Sequence, residues 1–508
     1  MSEFYRLYRT YYEKYVTLFW AAYAVTFIVY IYLFTTVILT NHTFPNSWIY
    51  PYPSFKTTSE GRWFADLVIY LFGGSGVQSF QMFVAVALQV VNGIIFAELL
   101  SVKSRVQIFL FMILLSLYPA FLDYYSFSVD HITFALGDTL ALSGFLALAR
   151  IKRRWVALIA SMVPFVLCLA SYQPKIALLA ILLLVHALLL VMHPPEGIGI
   201  KGVLRRIGLA CFALAISICV YYASIKITCN FDLGIRTQQN SIVESMRQLL
   251  ASYRQFIYYF YSRSDYLPSL LRFLPLGAIA LGIIGVYMRC RHRGMAAVLI
   301  ATILLGLMPI ALRSSYIINS VTWQYSGRIN FPGAYVLVFF LAVAALITRF
   351  RLPVLLTTGV FVYFSLIVAT QESNHAYFKT IFDLGKLNRI VSRIETVVPD
   401  LYARSRPVVV IGHLRMENQR FKRFTNAGNY SQFNTESFQV YRQVEILNFL
   451  LGRDVFVYPT NEQRDAAFAS AQSKQPWPAD ESVSLENGVV TVLLEEAKTG
   501  VPVTWTEH

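Results

Sequence analysis

The chain has 508 residues, of which 56% are hydrophobic and only 14% charged, with a mean hydropathy of +0.53. Soluble domains carry about 25% charged residues, so this composition excludes an ordinary soluble protein and indicates one that lies largely in a membrane. The net charge of +15 does not indicate a nucleic-acid partner, because the basic residues stand in short clusters between apolar runs, which is how membrane topology is encoded.

About eleven apolar runs can cross the roughly 30 Å of hydrocarbon in a bilayer. They fall near residues 16–40, 79–100, 107–122, 131–150, 156–172, 176–192, 207–227, 267–288, 295–313, 333–349 and 353–371. Basic clusters precede the first run and follow the second, fourth, sixth, eighth and tenth runs: Arg6, Arg9 and Lys14; Lys103 and Arg105; Lys152, Arg153 and Arg154; Lys201, Arg205 and Arg206; Arg289, Arg291 and Arg293; Arg349 and Arg351. The sequence therefore predicts a multi-pass inner-membrane protein, and the positive-inside rule places its N-terminus in the cytoplasm and its C-terminus outside.

The outer loops of this topology differ in composition from the basic inner ones. The first, about 41–78, is rich in Tyr, Trp and Pro, and its segment GRWFADLVIYLF repeats large apolar residues at helical spacing. This spacing predicts a short helix on the membrane surface. Two further loops, about 228–266 and 313–332, carry arginines where the positive-inside rule disfavours them, so we expect a local anionic partner. These arginines are Arg236, Arg247, Arg254, Arg263, Arg313 and Arg328.

From about residue 375 the composition turns polar. Short β-branched runs at 407–412, 455–459 and 489–496 alternate with helical stretches at about 376–397 and 437–451. Such alternation is typical of a small α/β domain. The sequence therefore predicts two modules, a transmembrane one over 1–374 and a soluble one outside the membrane over 375–508.

Acidic residues are rare in the apolar part, so those near the outer face are candidates for chemistry. Glu60 and Asp66 lie in the first outer loop, Asp123 and Asp130 between the third and fourth runs, and Asp138 two helical turns below Asp130. A carboxylate can take a proton from a sugar hydroxyl, and arginines can grip a phosphate bidentately. Each also has a structural alternative, as a helix cap, as half of a buried ion pair, or as a contact to lipid headgroups.

Five segments follow one another in an order that resembles a known family. They are GRWFADL, YPAFLDYYSFSVDHITFAL, SYQPKIALL, SGRINFP and WPADESVSLENGVVTVLL. Together with the topology, they resemble the type II Gtr serotype-converting O-antigen glucosyltransferases, polytopic enzymes of the GT-C class. The resemblance extends from about residue 55 to 496.

The resemblance implies an inverting glycosyltransferase that moves glucose from undecaprenyl-phosphate-glucose to lipid-linked O-antigen in the periplasm. The donor would be a lipid-linked sugar rather than a nucleotide-sugar, so no cofactor is predicted, while a divalent metal is left open. The expected partners are this lipid donor, the lipid-linked glycan acceptor and membrane lipids, but no nucleic acid. Two alternatives are a lipid-linked glycan flippase or other transporter and an O-antigen polymerase.

The family pattern and this chain differ at the expected base. Family members carry an acidic pair shortly before the Gly-Arg motif, whereas the corresponding stretch PYPSFKTTSEGRW holds Glu60 alone. Either Glu60 or Asp130, which matches the acid of the family's F-x-F/V-D element, is therefore the expected base, and Asp66 is a third catalytic candidate. The remaining candidates are expected to bind substrate: Arg62, Arg313 and Arg328 at the lipid phosphate, Tyr172 and Gln173 at sugar hydroxyls, and Asp123 as a further substrate-binding residue. No metal ligands are predicted.

Overall fold

The structure is a computed structural model, and it is mainly helical. It describes residues 2–36, 38, 55–72, 78–127, 130–228, 240–262, 264, 266–318, 327–414, 438, 440, 442–504 and 506. The helices of the first half are α1 Ser2–Val29, α2 Ile31–Thr35, α3 Phe55–Glu60, α4 Trp63–Leu71, α5 Gln78–Leu99, α6 Arg105–Leu117, α7 Leu122–Tyr125, α8 His131–Arg150, α9 Arg154–Ser171, α10 Ile176–Met192 and α11 Ile200–Thr228. Those of the second half are α12 Ile242–Tyr261, α13 Leu274–Arg291, α14 Met295–Leu312, α15 Ser314–Ile318, α16 Gly327–Asn330, α17 Pro332–Ala344, α18 Arg351–Val397, α19 Gln443–Leu451 and α20 Asn461–Ala471.

Every apolar run that the sequence predicts as a span coincides with a helix. Within the described residues, eight helices are long and apolar enough to cross a membrane, namely α5, α8, α9, α10, α11, α13, α14 and α18. A ninth span results if α6 and the segment after it, which bends by 42°, are counted together. The first and tenth runs correspond to α1 and to the 13-residue α17, which fall outside this set. The predicted polytopic helical fold is confirmed, with eight or nine such spans.

Helix α17 lies in the middle of the bundle. All of its 13 residues are buried, and it packs against α6, α10, α13 and α18. A helix that is apolar on every side needs such a position, because it has no polar face to present to water. Elsewhere the helices approach closely through small residues. A Cβ on Gly144 of α8 would lie 2.4 Å from the Phe165 ring of α9, and such close contact stabilises helix pairs in lipid.

Helix α18 joins the bundle to the C-terminal region without a break. Its 47 residues span about 70 Å, and Leu387, Ile390 and Ile394 near its end belong to the core of the C-terminal domain. A buried ion pair, Lys379 Nζ to Asp383 Oδ2 at 2.5 Å, lies between the two parts. The predicted boundary at 374/375 therefore falls inside a continuous helix.

The C-terminal region is a small α/β domain, as predicted. Its four strands are β1 Arg406–Ile411, β2 Phe456–Val457, β3 Val483–Glu486 and β4 Val489–Leu493, in the order β2-β1-β4-β3. Strand β1 is parallel to β2 and β4, and β3 pairs antiparallel with β4. Val408 and Val410 face the core that contains α18 and α19, whereas Val409 and Ile411 face the core that contains α20. Helices therefore cover both faces of the sheet, which suits parallel strands.

Strand β3 and helix α20 are the elements of this domain that the sequence analysis does not predict. The β3–β4 turn is Asn487-Gly488, with φ angles of 51° and 79°. Asn-Gly is the preferred dipeptide for a two-residue hairpin turn, because both of its central residues need positive φ. This signal lies within the segment WPADESVSLENGVVTVLL and was available from the sequence.

The outer loop predicted over 228–266 is wrong in its secondary structure, because the segment contains the 20-residue helix α12. The Ser241 side chain caps it by accepting a hydrogen bond from the Glu244 N–H at 3.2 Å. Arg247 and Arg254 lie on this helix, whereas Arg236 and Arg263 are outside the described residues. One face of α12 exposes apolar side chains at helical spacing: Ile242, Met246, Leu250, Tyr253 and Ile257. Such a face is typical of a helix in the membrane interface.

Candidate active site

Four of the five segments that carry the resemblance lie at one end of the bundle, the end opposite to the basic clusters. The Arg62 Nε donates to Gln173 Oε1 at 2.8 Å, which joins GRWFADL to SYQPKIALL. The Ser315 hydroxyl donates to the carbonyl of Pro174 at 2.8 Å and so brings the end of α14 to the same place. Helix α16, from SGRINFP, packs against α7 of the YPAFLDYY segment. Segments far apart in the chain therefore form one surface.

The Gly61-Arg62 turn is fixed by its contacts to α11. Gly61 has a φ of +67°, a conformation that favours glycine. Its carbonyl accepts a hydrogen bond from the Tyr221 hydroxyl at 3.1 Å, and the Trp63 indole N–H donates to Ser224 Oγ at 3.0 Å. The Gly-Arg-Trp motif therefore sets the backbone so that the Arg62 side chain reaches the connection between α9 and α10.

Arg62 is the centre of a group of four predicted site residues. Its guanidinium pairs with Glu60, with Nη1 2.8 Å from Oε2, and lies 4.7 Å from the centroid of the Tyr172 ring. The Gln173 amide accepts from Arg62 and donates to the Glu60 carbonyl. The structure thus brings together Glu60, Arg62, Tyr172 and Gln173, which the sequence analysis selects from separate segments.

The short helix α3 holds the carboxylates of this site in place. Lys56 forms a buried ion pair with Asp130, and each of the two residues is only 4% exposed. The next residue, Thr57, donates its N–H to Asp66 Oδ2 at 2.6 Å and its hydroxyl to the same oxygen. Glu60 ends the helix. All three catalytic candidates are therefore bound by, or belong to, one six-residue helix.

Asp66 and Asp130 have different surroundings. Burial raises the pKa of the Asp66 carboxyl, while the hydrogen bonds from Thr57 and the charge of Lys56 partly oppose this rise. Its Oδ1 is buried and has no hydrogen-bond partner among the described residues. Asp130 stands at the N-cap position of α8 but makes no side-chain cap there. Its carboxylate pairs with Lys56 instead, so the capping alternative does not apply.

The other predicted binding residues lie on α7, at the end of α14 and on α16. Arg313 ends α14, is 7% exposed and stacks over the Tyr316 ring at 3.7 Å. The Tyr316 hydroxyl accepts a hydrogen bond from Asn330 at 3.0 Å. Asp123 is buried on α7, and one of its carboxylate oxygens accepts from Ser126 at 3.2 Å. The backbone of Arg328 belongs to α16, and its side chain is not among those that the structure describes.

A second ion pair lies deeper in the bundle, between Asp138 and Lys175. Both side chains are fully buried, and the Tyr124 hydroxyl lies 3.3 Å from Asp138 Oδ2. Lys175 also lies 4.8 Å from the centroid of the Phe331 ring. A Cβ on Gly137 would lie 2.5 Å from Lys175 Cε, so glycine at this position leaves space for the lysine side chain. Asp138 is therefore half of a buried ion pair, which was the structural alternative to a role in chemistry.

The sequence analysis missed two residues, Lys56 and Lys175. A signal existed for each of them. Lys56 is the only basic residue between the first span and Arg62, apart from His42, and Lys175 closes the SYQPK motif directly before the apolar run 176–192. A lysine so close to the hydrocarbon region is costly without a partner, so Lys175 predicts a nearby carboxylate. Over the ranges that the structure describes, no three His, Cys, Asp or Glu side chains are grouped so that they could hold a metal ion.

A comparison with family models finds one match for this chain. The model described as glucosyl transferase GtrII matches residues 45–346, more than half of the chain. The match covers the first four of the five segments and ends before α18 and the C-terminal domain begin. No curated protein and no solved structure matches the chain.

The pair of Asp138 and Lys175 gives a testable prediction about stability. Lys175→Met leaves Asp138 buried without its cation, so we expect a loss of about 3–5 kcal/mol of unfolding free energy. The double variant Lys175→Met/Asp138→Leu removes both charges and is expected to recover most of that loss. Thermal unfolding of the purified protein in detergent measures both.

Lys14→Met is the matched control for this experiment. Lys14 pairs with Glu98 in the same bundle but is 39% exposed, so its loss should cost less than about 1 kcal/mol. A double variant no more stable than Lys175→Met alone would contradict the prediction.

Proposed function

Because the chain belongs to the glucosyl transferase GtrII family, we propose that it moves glucose from a polyprenyl-phosphate carrier to a lipid-linked surface glycan such as O-antigen. The glucosyltransferase activity follows from the family. The lipid donor, the glycan acceptor and a reaction on the periplasmic side of the membrane are what we propose in addition. The observation that carries it is the Glu60–Arg62–Gln173–Tyr172 group, with Asp66 and Asp130 held beside it, at the end of a bundle of apolar helices.

The proposed donor suits this position because it is itself amphiphilic. A polyprenyl chain would lie in hydrocarbon along the bundle, and its phosphate would reach the polar group at the bundle's end. Arg62 offers a planar fork of donors that matches two phosphate oxygens, and it is partly exposed, at 19%. Arg313 and Arg328 are proposed as further phosphate contacts. They would stabilise the charge that develops on the departing phosphate.

The proposed reaction is a single in-line displacement. An acceptor hydroxyl oxygen attacks the anomeric carbon of glucose, and the bond between that carbon and the phosphate oxygen breaks. The lipid phosphate leaves with the bonding electron pair, and a carboxylate takes the hydroxyl proton. Attack from the face opposite to the leaving group inverts the anomeric configuration. Tyr172 and Gln173 are proposed to hold sugar hydroxyls, with Asp123 nearby.

The contacts of the three carboxylates favour Glu60 as the base. Asp130 is buried in its ion pair with Lys56, and Asp66 holds Thr57 in a site that exposes only 3% of its surface. We therefore assign both to positioning α3. Glu60 is bound to Arg62, and a donor phosphate would compete for the same guanidinium. Arg62 would then exchange the Glu60 carboxylate for the phosphate, and Glu60 would accept the proton.

The direct experiment is glucose transfer in a defined system. The purified protein in liposomes receives polyprenyl-phosphate-glucose and a lipid-linked acceptor glycan, and the product is analysed for added glucose and for its anomeric configuration. We expect transfer with inversion from the lipid donor and none from a nucleotide-sugar alone. Transfer that requires a nucleotide-sugar would contradict the proposed donor.

Replacement of the carboxylates tests the choice of base. Glu60→Gln is expected to lower the transfer rate by about 10²–10⁴-fold with an unchanged melting temperature, because it removes a general base. Asp130→Asn is expected to lower stability by about 3–5 kcal/mol, because Lys56 loses its buried partner. Rates and melting curves of both variants decide the matter, with Glu244→Gln on α12 as the control. Near-normal transfer by Glu60→Gln would exclude Glu60 as the base.

Arg62→Lys tests the phosphate contact. Lysine keeps the charge but loses the two-pronged donor geometry. We expect turnover to fall by about 10²-fold, which is typical when one donor to a developing anion is lost. Arg254→Lys on α12 makes the same change at an exposed position and should have no effect on turnover. Equal turnover in the two variants would leave Arg62 without a role at the phosphate.

Reporter fusions test the proposed orientation in the membrane. The alternation of basic loops predicts that a reporter active only in the periplasm works when it is fused after residue 400 and fails when it is fused after residue 198. The opposite pattern would place the proposed active site on the cytoplasmic side and contradict a periplasmic reaction.

A further inference from the structure

A cavity of about 690 Å³ lies at the basic end of the bundle, opposite to the candidate active site. It is lined by the connections α5–α6, α10–α11 and α17–α18 and by the end of α8, and it is partly open. These are the connections whose basic residues define the predicted topology. Its volume lies within the range of ordinary small-molecule sites, which is about 300–1,000 Å³. The glucosyl transfer uses no residue of this cavity.

The charged lining of the cavity is strongly cationic. It contains Lys103, Arg150, Arg206 and Arg351 but only one acid, Glu98. That acid is already engaged, because it accepts hydrogen bonds from Lys14, Tyr15 and Arg150. Among the described residues, Lys103, Arg206 and Arg351 have no ion-pair partner. Such an excess of cations around a cavity indicates an anionic ligand.

The rest of the lining indicates that this anion carries an apolar part. Leucine, valine and alanine side chains from α5, α10, α17 and the α17–α18 connection form an apolar wall of the same cavity, among them Leu99, Leu190, Val343 and Leu346. A soluble anion such as phosphate would make no favourable contact with this wall. A lining that combines cations with an apolar wall, at the ends of membrane helices, matches an anionic headgroup followed by its acyl chains.

We propose that this cavity binds an anionic phospholipid, whose phosphodiester is held by Lys103, Arg206 and Arg351 and whose proximal acyl segments lie on the apolar wall. The volume accommodates a headgroup and the first part of the chains, and the remainder extends into the surrounding bilayer. The site would join the ends of α5, α8, α10, α17 and α18 at the basic face. The proposal depends on the membrane fold and not on the identity of the sugar donor.

Lipid titration of the purified full-length protein tests the proposal. Binding of phosphatidylglycerol in detergent micelles is measured by native mass spectrometry, for the wild type and for the variant Lys103→Gln/Arg206→Gln/Arg351→Gln. Each basic residue near a lipid headgroup is worth about a fivefold change in affinity, so we expect the triple variant to bind about 100-fold more weakly. Phosphatidylcholine and inorganic phosphate should not displace the bound lipid.

The matched control removes the same charge from the same end of the protein. Arg153→Gln/Arg154→Gln/Lys201→Gln changes three exposed basic residues that do not line the cavity, and its affinity for phosphatidylglycerol should stay near that of the wild type. If the triple cavity variant has a lowered melting temperature, the single variant Lys103→Glu replaces it, with an expected loss of about 30-fold.

Three results would overturn the proposal. The first is wild-type affinity in the cavity variants. The second is an equal loss in the control, which would indicate general attraction to a basic surface. The third is displacement of the lipid by inorganic phosphate, which would assign the cavity to a soluble anion.

Discussion

Lys175 and Asp138 form a fully buried ion pair inside the bundle, and much of the surrounding arrangement depends on it. A single charge in hydrocarbon costs several kcal/mol, so neither residue is tolerated there without the other. The pair fixes the start of α10 against α8, and it lies beside Tyr124 and Phe331 from two further family segments. Gln173, two residues before Lys175, is thereby placed to reach Arg62 and the Glu60 carbonyl.

Two further carboxylates, nearer the end of the bundle, also have a cationic partner. Lys56 pairs with Asp130 and Arg62 with Glu60, so each predicted carboxylate of these two pairs has a cation from the first outer segment. The pairs differ in exposure, since the Lys56 pair is buried and the Arg62 pair is partly open. The buried pair therefore serves to position α3, while the open one can exchange partners with a substrate. Within this small group of charges, the buried pair therefore has a structural role and the more exposed pair can take part in the reaction.

The two ends of the bundle have different electrostatic characters. One end holds acids and arginines in nearly balanced pairs around the candidate active site. The other has an excess of cations around a cavity with an apolar wall. Anionic lipids would be attracted to the second end, where their binding could stabilise the junction of α17 with α18. Because α18 continues into the C-terminal domain, this junction also anchors that domain to the bundle.

The sequence by itself determined the membrane class, the positions of the apolar helices, the α/β character of the C-terminal region and the family. These features depend on local properties, namely apolar length, basic clusters, β-branched runs and short motifs, which can be read within a window of some twenty residues. Glu60, Arg62, Tyr172 and Gln173 were also selected in this way, although nothing in the sequence placed them side by side.

Only the tertiary structure decided which charges are paired. Lys56 and Asp130 are 74 positions apart and Lys175 and Asp138 are 37 apart, so no local pattern could connect them. Helix α12 was missed for a different reason, because its signal is local. The Ser241 cap and the apolar side chains at helical spacing lie within one stretch of sequence, but the arginines of that stretch led to its interpretation as a polar outer loop. Pairing and burial depend on segments brought together by folding, and composition alone carries no information about those contacts.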